Sequence, residues 1–257
     1  MADGKSRHRD TDLDRYWKSK VRVNKLAEEY AGRFHLDQLR EKTKHLNPDI
    51  FPTICFSRKI GVGALELAEV TAEKLGYRVV DRQIIEHLSR ATELNPASIT
   101  SFDERYPGKL RELLGRILGD RAFDLNEYTR HLFITAFFFA HMEKTVFVGR
   151  GLHLMLPRQR VFAVRCIGSL DHRIANLAQT LEVSERKARM TLAQADMEQK
   201  EFFQKVHGKT GAPPQEFDLI LNMDFVQDNK AAADAIIRLF KSRFEPARPA
   251  KKQCRTK

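Results

Sequence analysis

The chain has 257 residues, 42% of them apolar and 31% charged, and a formal net charge of +11; this is an ordinary soluble globular composition, enough for one sizeable domain with appendages. No apolar run approaches the ~18 residues of a membrane helix, so no membrane partner is expected; the longest, residues 132–142, is broken by His141 and reads as a buried helix. Cys55, Cys166 and Cys254 form no C-x-x-C pair, which argues against a disulfide framework or a zinc site and makes a reducing cytoplasm the expected compartment.

Residues 1–50 are polar and charge-rich, net +3, with no apolar stretch behind the first residues, so no secretory signal is expected. A helix is predicted over 12–34, with Tyr16, Val21, Leu26 and Tyr30 as sparse apolar points. Asn47-Pro48 and Phe51-Pro52 then set a domain boundary near residue 50. In the domain that follows, 51–245, short apolar runs alternate with helical periods. Strands are predicted at 53–56, 77–80, Thr145–Val148, Val161–Ile167 and 217–221. Helices are predicted at 63–75, stopped by Gly76, and at 82–91, 96–104, 110–118 and 126–142. Three more follow at Leu170–Leu181, 184–206 and 231–244. Residues 246–257 are a basic tail broken by Pro246 and Pro249. Residues 241–257 carry net +6 while 51–240 carry only +2, so the excess charge sits at the ends. The tail reads as a solvated, disordered end, and nucleic-acid binding through it is the less favoured reading.

Five strands separated by helices predict an α/β fold, a parallel sheet covered on both faces. Ligands of such sheets bind beyond the carboxyl ends of the strands, where the strand order reverses. The loops leaving strands one, three and four are therefore where chemistry is expected.

The first of these loops reads Ser57-Arg58-Lys59-Ile60-Gly61-Val62-Gly63-Ala64 and opens a helix. Two glycines let backbone N–H groups turn inward, and the helix N-terminus adds partial positive charge, a combination suited to phosphate. Against the full phosphate-loop pattern G-x-x-x-x-G-K-[ST], residues 58–65 keep only Gly63. Arg58, Ala64 and Leu65 stand at the first glycine, lysine and hydroxyl positions. The loop taken alone leaves an ordinary glycine-rich turn open.

An ordered series of segments carries more. Ile54-Cys55-Phe56-Ser57-Arg58, Gly61-Val62-Gly63, Ala72-Glu73-Lys74-Leu75-Gly76-Tyr77 and Val80-Asp81-Arg82-Gln83-Ile84-Ile85 come first. Val146-Phe147-Val148-Gly149-Arg150-Gly151, Asp171-His172-Arg173-Ile174 and Phe217-Asp218-Leu219-Ile220-Leu221-Asn222 follow. The series resembles the cytidylate kinase-like family, a branch of the P-loop nucleoside monophosphate kinases, over about residues 51–243. The resemblance implies a five-stranded parallel P-loop sheet with a helical acceptor subdomain between strands two and three and a helical lid. It also implies ATP and Mg²⁺ as cofactors and phosphoryl transfer to a CMP-like nucleoside monophosphate. Ser57, Arg58, Lys59, Gly61, Val62, Gly63 and Ala64 would cradle the donor phosphates. Arg150 and Arg173 would neutralise charge around the transferred group, and Asp81, Gly149 and Arg150 would face the acceptor. No protein ligand for the metal is named.

Read from the residues alone, Arg150 between two glycines can grip phosphate bidentately or join a surface ion pair. Arg173 can equally be a helical surface arginine, and Asp81 a helix N-cap. The chain departs from the family at Val62 and Ala64. It departs also in the lid, residues 196–208, where Gln199 stands for an arginine and Phe202-Phe203 for paired tyrosines, with Lys200, Lys205 and Lys209 as looser point charges. A catalytically degenerate nucleotide-binding sensor or scaffold is therefore the second reading. A dinucleotide-binding oxidoreductase is the third: Asp81 lies about 20 residues after Gly61-Val62-Gly63, but Glu66 occupies the third glycine position.

Overall fold

The structure, a computed structural model, describes residues 50–82 and 127–245. The expected helices at 12–34, 96–104 and 110–118, the one at 82–91 beyond Arg82, and the basic tail lie outside it. Strands β1 (Thr53–Arg58), β3 (Thr145–Val148) and β4 (Val161–Ile167) are rich in β-branched and aromatic residues and almost wholly buried, as inner strands of a parallel sheet must be. With β2 (Arg78–Val80) and β5 (Leu219–Asn222) they form one parallel sheet in the order β2-β3-β1-β4-β5. From β1 the chain runs out to β2, returns to β3 beside β1, then crosses over β1 to β4 and β5. The order therefore reverses around β1, and the crevice opens beyond its carboxyl end.

The two faces of β1 meet different helices. Ile54 and Phe56, with Val146, Val148, Phe162 and Val164, pack under α1 (Ala64–Leu75) and α5 (Asn229–Phe244). Cys55, Phe147 and Ala163 pack under α2 (Glu127–Met142) through Leu132, Phe133 and Phe139. Helix α1 stops at Gly76, whose φ of +65° lets the N–H groups of Gly76 and Tyr77 return to the Glu73 and Ala72 carbonyls. Helices α3 (Leu170–Leu181) and α4 (Glu185–His207) are each started by a serine hydroxyl, Ser169 and Ser184, accepting from an N–H three residues on. They pack together through Ile174, Leu177, Ala188 and Leu192, and Ile60 joins that cluster from the loop after β1.

Several boundaries move by one residue from the sequence expectation, and three move by two. Strand β1 runs on to Arg58 because Ser57 and Arg58 still pair with Arg165 and Cys166 of β4, so these two residues belong to the sheet and only 59–63 form the turn. Strand β5 begins at Leu219. Before it, a short turn at Pro214–Glu216 leads to Asp218, which is fixed sideways, its carboxylate accepting from the Ala163 N–H and from Arg158. Helix α5 begins at Asn229, two residues early, because the Asp228 carboxylate accepts from the Lys230 N–H. Among the described residues no helix is long and apolar enough to cross a membrane.

Candidate phosphate-binding site

The turn after β1 is shaped by two glycines. Gly61 has φ +82°, and a Cβ there would lie 2.6 Å from the Arg173 carbonyl oxygen; both backbone conformation and space require glycine. Gly63 has φ +78° and is the N-cap of α1 with no side-chain cap, which leaves the N–H groups of the first turn to a ligand or to solvent. Ile60 and Val62 are buried and anchor the turn on either side of Gly61. Three side chains from α3 and α4 fix its peptide planes by donating to its carbonyls. Arg173 Nε reaches Ile60 at 2.7 Å, Asn176 Nδ2 reaches Gly61 at 2.9 Å, and Gln199 Nε2 reaches Arg58 at 2.7 Å.

Beyond the carboxyl ends of β1, β2 and β3 lies a cleft of about 40 Å³, into which Arg58, Arg82 and Arg150 converge with Glu198, Gln199 and Phe202. Arg150 sits in the left-handed region at φ +55°, between Gly149 at +92° and Gly151 at +67°. Such a conformation costs a non-glycine residue about 1–2 kcal/mol. Its guanidinium carbon stands 4.0 Å from the centre of the Phe202 ring. Burial, then the positive charges of Arg82 and Arg58, push Arg150 down to about 8, with Glu198 acting the other way. Three guanidiniums crowded out of water repel one another, and a phosphate among them would relieve that repulsion.

The remaining expected site residues divide. Asp81 is buried at the end of β2, immediately before Arg82. Ser57 faces β4, its hydroxyl accepting from Arg165 at 2.7 Å. Lys59 is half exposed and 3.7 Å from Asp196. Val62 and Ala64 point into the core. Arg173 is buried, and its two terminal nitrogens donate to the two Asp196 oxygens at 3.0 and 2.6 Å while its Nε holds Ile60. Of the expected site residues, the structure brings Arg58, Gly149 and Arg150 together in the cleft, where Ile60 is the residue of the turn that lines it. It gives Arg173 to the joint between α3, α4 and the turn. Arg82 and Glu198 are site residues that the sequence does not single out, and Phe202, noted there only as standing for a lid tyrosine, joins them. Arg82 carries a usable signal, its place two residues after β2; Phe202 carries one in the lid resemblance, and Glu198 none apart from its spacing from Phe202 along α4.

Residues 53–56 and 145–148 end side by side, the turn between β1 and α1 is glycine-held, and the sheet order reverses around β1. These features define a kinase-like P-loop α/β protein. The chain belongs to the cytidylate kinase-like family, whose sequence model matches residues 53–225. No curated protein matches the sequence. Among solved structures, an uncharacterized protein from Eubacterium ventriosum ATCC 27560 is similar in fold, with a TM-score of 0.56 at 15% identity over 74% of this chain and 98% of the other. A shikimate kinase from Bacteroides thetaiotaomicron has a TM-score of 0.38 at 13% identity, covering 75% of this chain and 98% of its own. A shikimate kinase from Acinetobacter baumannii, in complex with shikimate, has a TM-score of 0.37 at 15% identity, covering 75% and 94%.

Kinases of such a family use a nucleotide and a divalent metal, and the residues answer the two requirements differently. The glycine turn and the cationic cleft fit phosphate groups. The position of the metal-binding hydroxyl in the phosphate-loop pattern is Leu65, 5% exposed within the core, which does not fit a metal held at that point. Among the described residues no three His, Cys, Asp or Glu side chains group to hold an ion.

Proposed function

We propose that the protein is a nucleotide-binding phosphotransferase that moves a phosphoryl group from ATP to a small nucleotide, with a CMP-like nucleoside monophosphate as acceptor. The observation that carries this reading is the convergence of Arg58, Arg82 and Arg150 in one cleft beyond β1 and β3, which Ile60 of the glycine-held turn also lines. The turn 59–63 and the first N–H groups of α1 bind donor phosphates. Arg150, carried beside Gly149 and near Arg82, binds acceptor phosphate and charge developing in transfer, and Asp81 lies on the acceptor side. Transfer of this kind needs positioning and charge neutralisation more than covalent chemistry. Arg173 acts first as the residue that holds the turn, since Asp196 occupies its terminal nitrogens. ATP supplies the transferable group, and a metal ion would come with the nucleotide's own phosphates.

A melting and turnover screen with ATP and Mg²⁺ against a panel of nucleoside monophosphates tests the reading. ATP should raise the melting temperature, because a ligand of the native state stabilises it by mass action, and CMP should be phosphorylated. Gly63→Val should abolish the ATP shift by blocking backbone approach. Stabilisation by NADH and not by ATP would overturn the reading in favour of dinucleotide binding. A second reading, nucleotide binding without turnover, is favoured by Gln199, which stands where the resemblance expects a lid arginine and here donates to the Arg58 carbonyl. Stabilisation by ATP with no phosphate transferred to any acceptor would select it.

A further inference from the structure

Arg150 is held at both ends by one helix. Its guanidinium stacks on Phe202, 4.0 Å from the ring centre, and its carbonyl oxygen is 2.9 Å from Nε2 of His207, five residues further along α4. A carbonyl only accepts, so the imidazole donates through Nε2. Burial lowers His207 below the usual histidine value, which keeps the ring neutral with a single N–H at neutral pH, and the Arg150 carbonyl places that proton on Nε2. The ring is set by Phe203 and Phe202, at centroid distances of 5.0 and 6.0 Å.

The loop is built to admit this ring. A Cβ on Gly151 would come 2.5 Å from His207 Nε2, so the approach needs glycine for space as well as for its φ of +67°. The Gly149 N–H donates to the Phe56 carbonyl at 2.9 Å, and the Gly151 carbonyl accepts from Leu154 at 2.9 Å. Between these two fastenings lies the Arg150 peptide, in a conformation that L-residues seldom adopt. Two flanking glycines give that peptide no preference of their own, and the bond from His207 supplies one.

We propose that His207 is the positioning residue for Arg150: by donating Nε2–H to the Arg150 carbonyl it holds the left-handed turn that directs the guanidinium into the cleft beside Arg58 and Arg82. Phosphate binding there then depends on where the C-terminal end of α4 sits, which couples the lid to the acceptor arginine through one hydrogen bond. This rests on the reading of Arg150 as a phosphate ligand. A histidine that only fills the core would affect stability, and through it every ligand alike.

The test compares His207→Phe, which keeps an aromatic ring and removes the donor, with His207→Gln, whose amide nitrogen can replace Nε2. Melting temperature and calorimetric binding of CMP and of ATP are measured on the full chain. The loss of one oriented hydrogen bond should weaken CMP binding by about tenfold in His207→Phe. His207→Gln should recover it to within about threefold, and ATP, held by the turn after β1, should bind each variant as it binds the native protein. If His207→Phe does not fold, His207→Asn, too short to place its amide at the Nε2 position, takes its place against His207→Gln. Native CMP affinity in the donor-less variant overturns the positioning role, as does equal weakening of both nucleotides with a lowered melting temperature. Native protein that binds neither nucleotide overturns instead the phosphate-site reading, and this proposal with it.

Discussion

Replacing Arg150 by alanine should separate ligand binding from stability. The unliganded protein loses the stacking of the guanidinium on Phe202, worth about 0.5–2 kcal/mol. It also sheds a buried cation that Arg82 and Arg58 repel, the arrangement that pushes Arg150 down to about 8. Alanine keeps the same left-handed backbone, so the strain of that conformation is nearly unchanged. Lost stacking and the lost attraction of Glu198 oppose the relieved burial and repulsion of the cation, and the net change should stay within about 1 kcal/mol, or roughly 2–4 °C in melting temperature. On the ligand side, two charge-assisted hydrogen bonds to a phosphate disappear, at about 1.5–3 kcal/mol each. CMP affinity should fall by at least about 3 kcal/mol, roughly a hundredfold, and phosphoryl transfer should cease. Arg150→Lys should recover only part, since a point charge cannot reproduce a bidentate grip. The assay is a melting curve with and without CMP, backed by calorimetry and a turnover measurement. Native affinity or robust turnover in Arg150→Ala would refute the assignment, and a loss of several kcal/mol in the unliganded protein would mark Arg150 as a structural arginine.

Gly61→Ala should destabilise the fold by more than about 3 kcal/mol, the left-handed strain adding to a 2.6 Å approach to the Arg173 carbonyl; denaturant midpoints check this, and a change below about 1 kcal/mol would show that the turn can adjust. His153 is pushed down to about 3 by burial, with His207 and Arg165 adding to it. Between about pH 3 and 6.5 the unfolded chain therefore binds a proton that the native state refuses, and stability falls with pH there by up to about 1.4 kcal/mol per unit. His153→Gln should remove about 2 kcal/mol of the loss between pH 6.5 and 5, and equal slopes in urea titrations of the two proteins would contradict this. Deleting 246–257 should leave ATP and CMP affinity unchanged, while any RNA or DNA binding should weaken with a shallower salt dependence; lost nucleotide affinity would show that the tail contributes to the site.

The sheet was legible because its signals are local. Thr145–Val148 and Val161–Ile167 are short runs rich in β-branched residues between polar loops, and they are strands at those bounds. Leu170–Leu181 is bracketed by a serine cap and a charged turn, and the helix keeps those bounds. The turn around Gly61 and Gly63 was legible too, since only glycine adopts such φ values readily. What escaped is what depends on distant partners. The run of β1 to Arg58 is decided by pairing with β4, more than a hundred residues away. The engagement of Arg173 by Asp196, 23 residues further on, follows from how α3 folds back on α4, and an arginine at a helix start carries no mark of that. Arg82, Glu198 and Phe202 are far from Arg58 and Arg150 along the chain, and only the closed tertiary structure brings them to one cleft.

The departures from the family pattern have two physical outcomes. Ala64 and Leu65, at the lysine and hydroxyl positions of the phosphate-loop pattern, are buried at 0% and 5% exposure and contribute to the core between the sheet and α1. Gln199, at the position of a lid arginine, donates to the Arg58 carbonyl and fastens α4 to the turn. Asn176 of α3, beside it, donates to the Gly61 carbonyl. Neutral side chains from α3 and α4 thus help to hold the turn, and the helix side of the cleft carries less positive charge than the resemblance implies. The charge that remains is set on the strand ends: Arg58 on β1, Arg82 just after β2 and Arg150 just after β3. On the proposed reading, neutralisation of phosphate would rest on this edge of the sheet, and α4 would influence it through the hydrogen bond from His207 that seats Arg150.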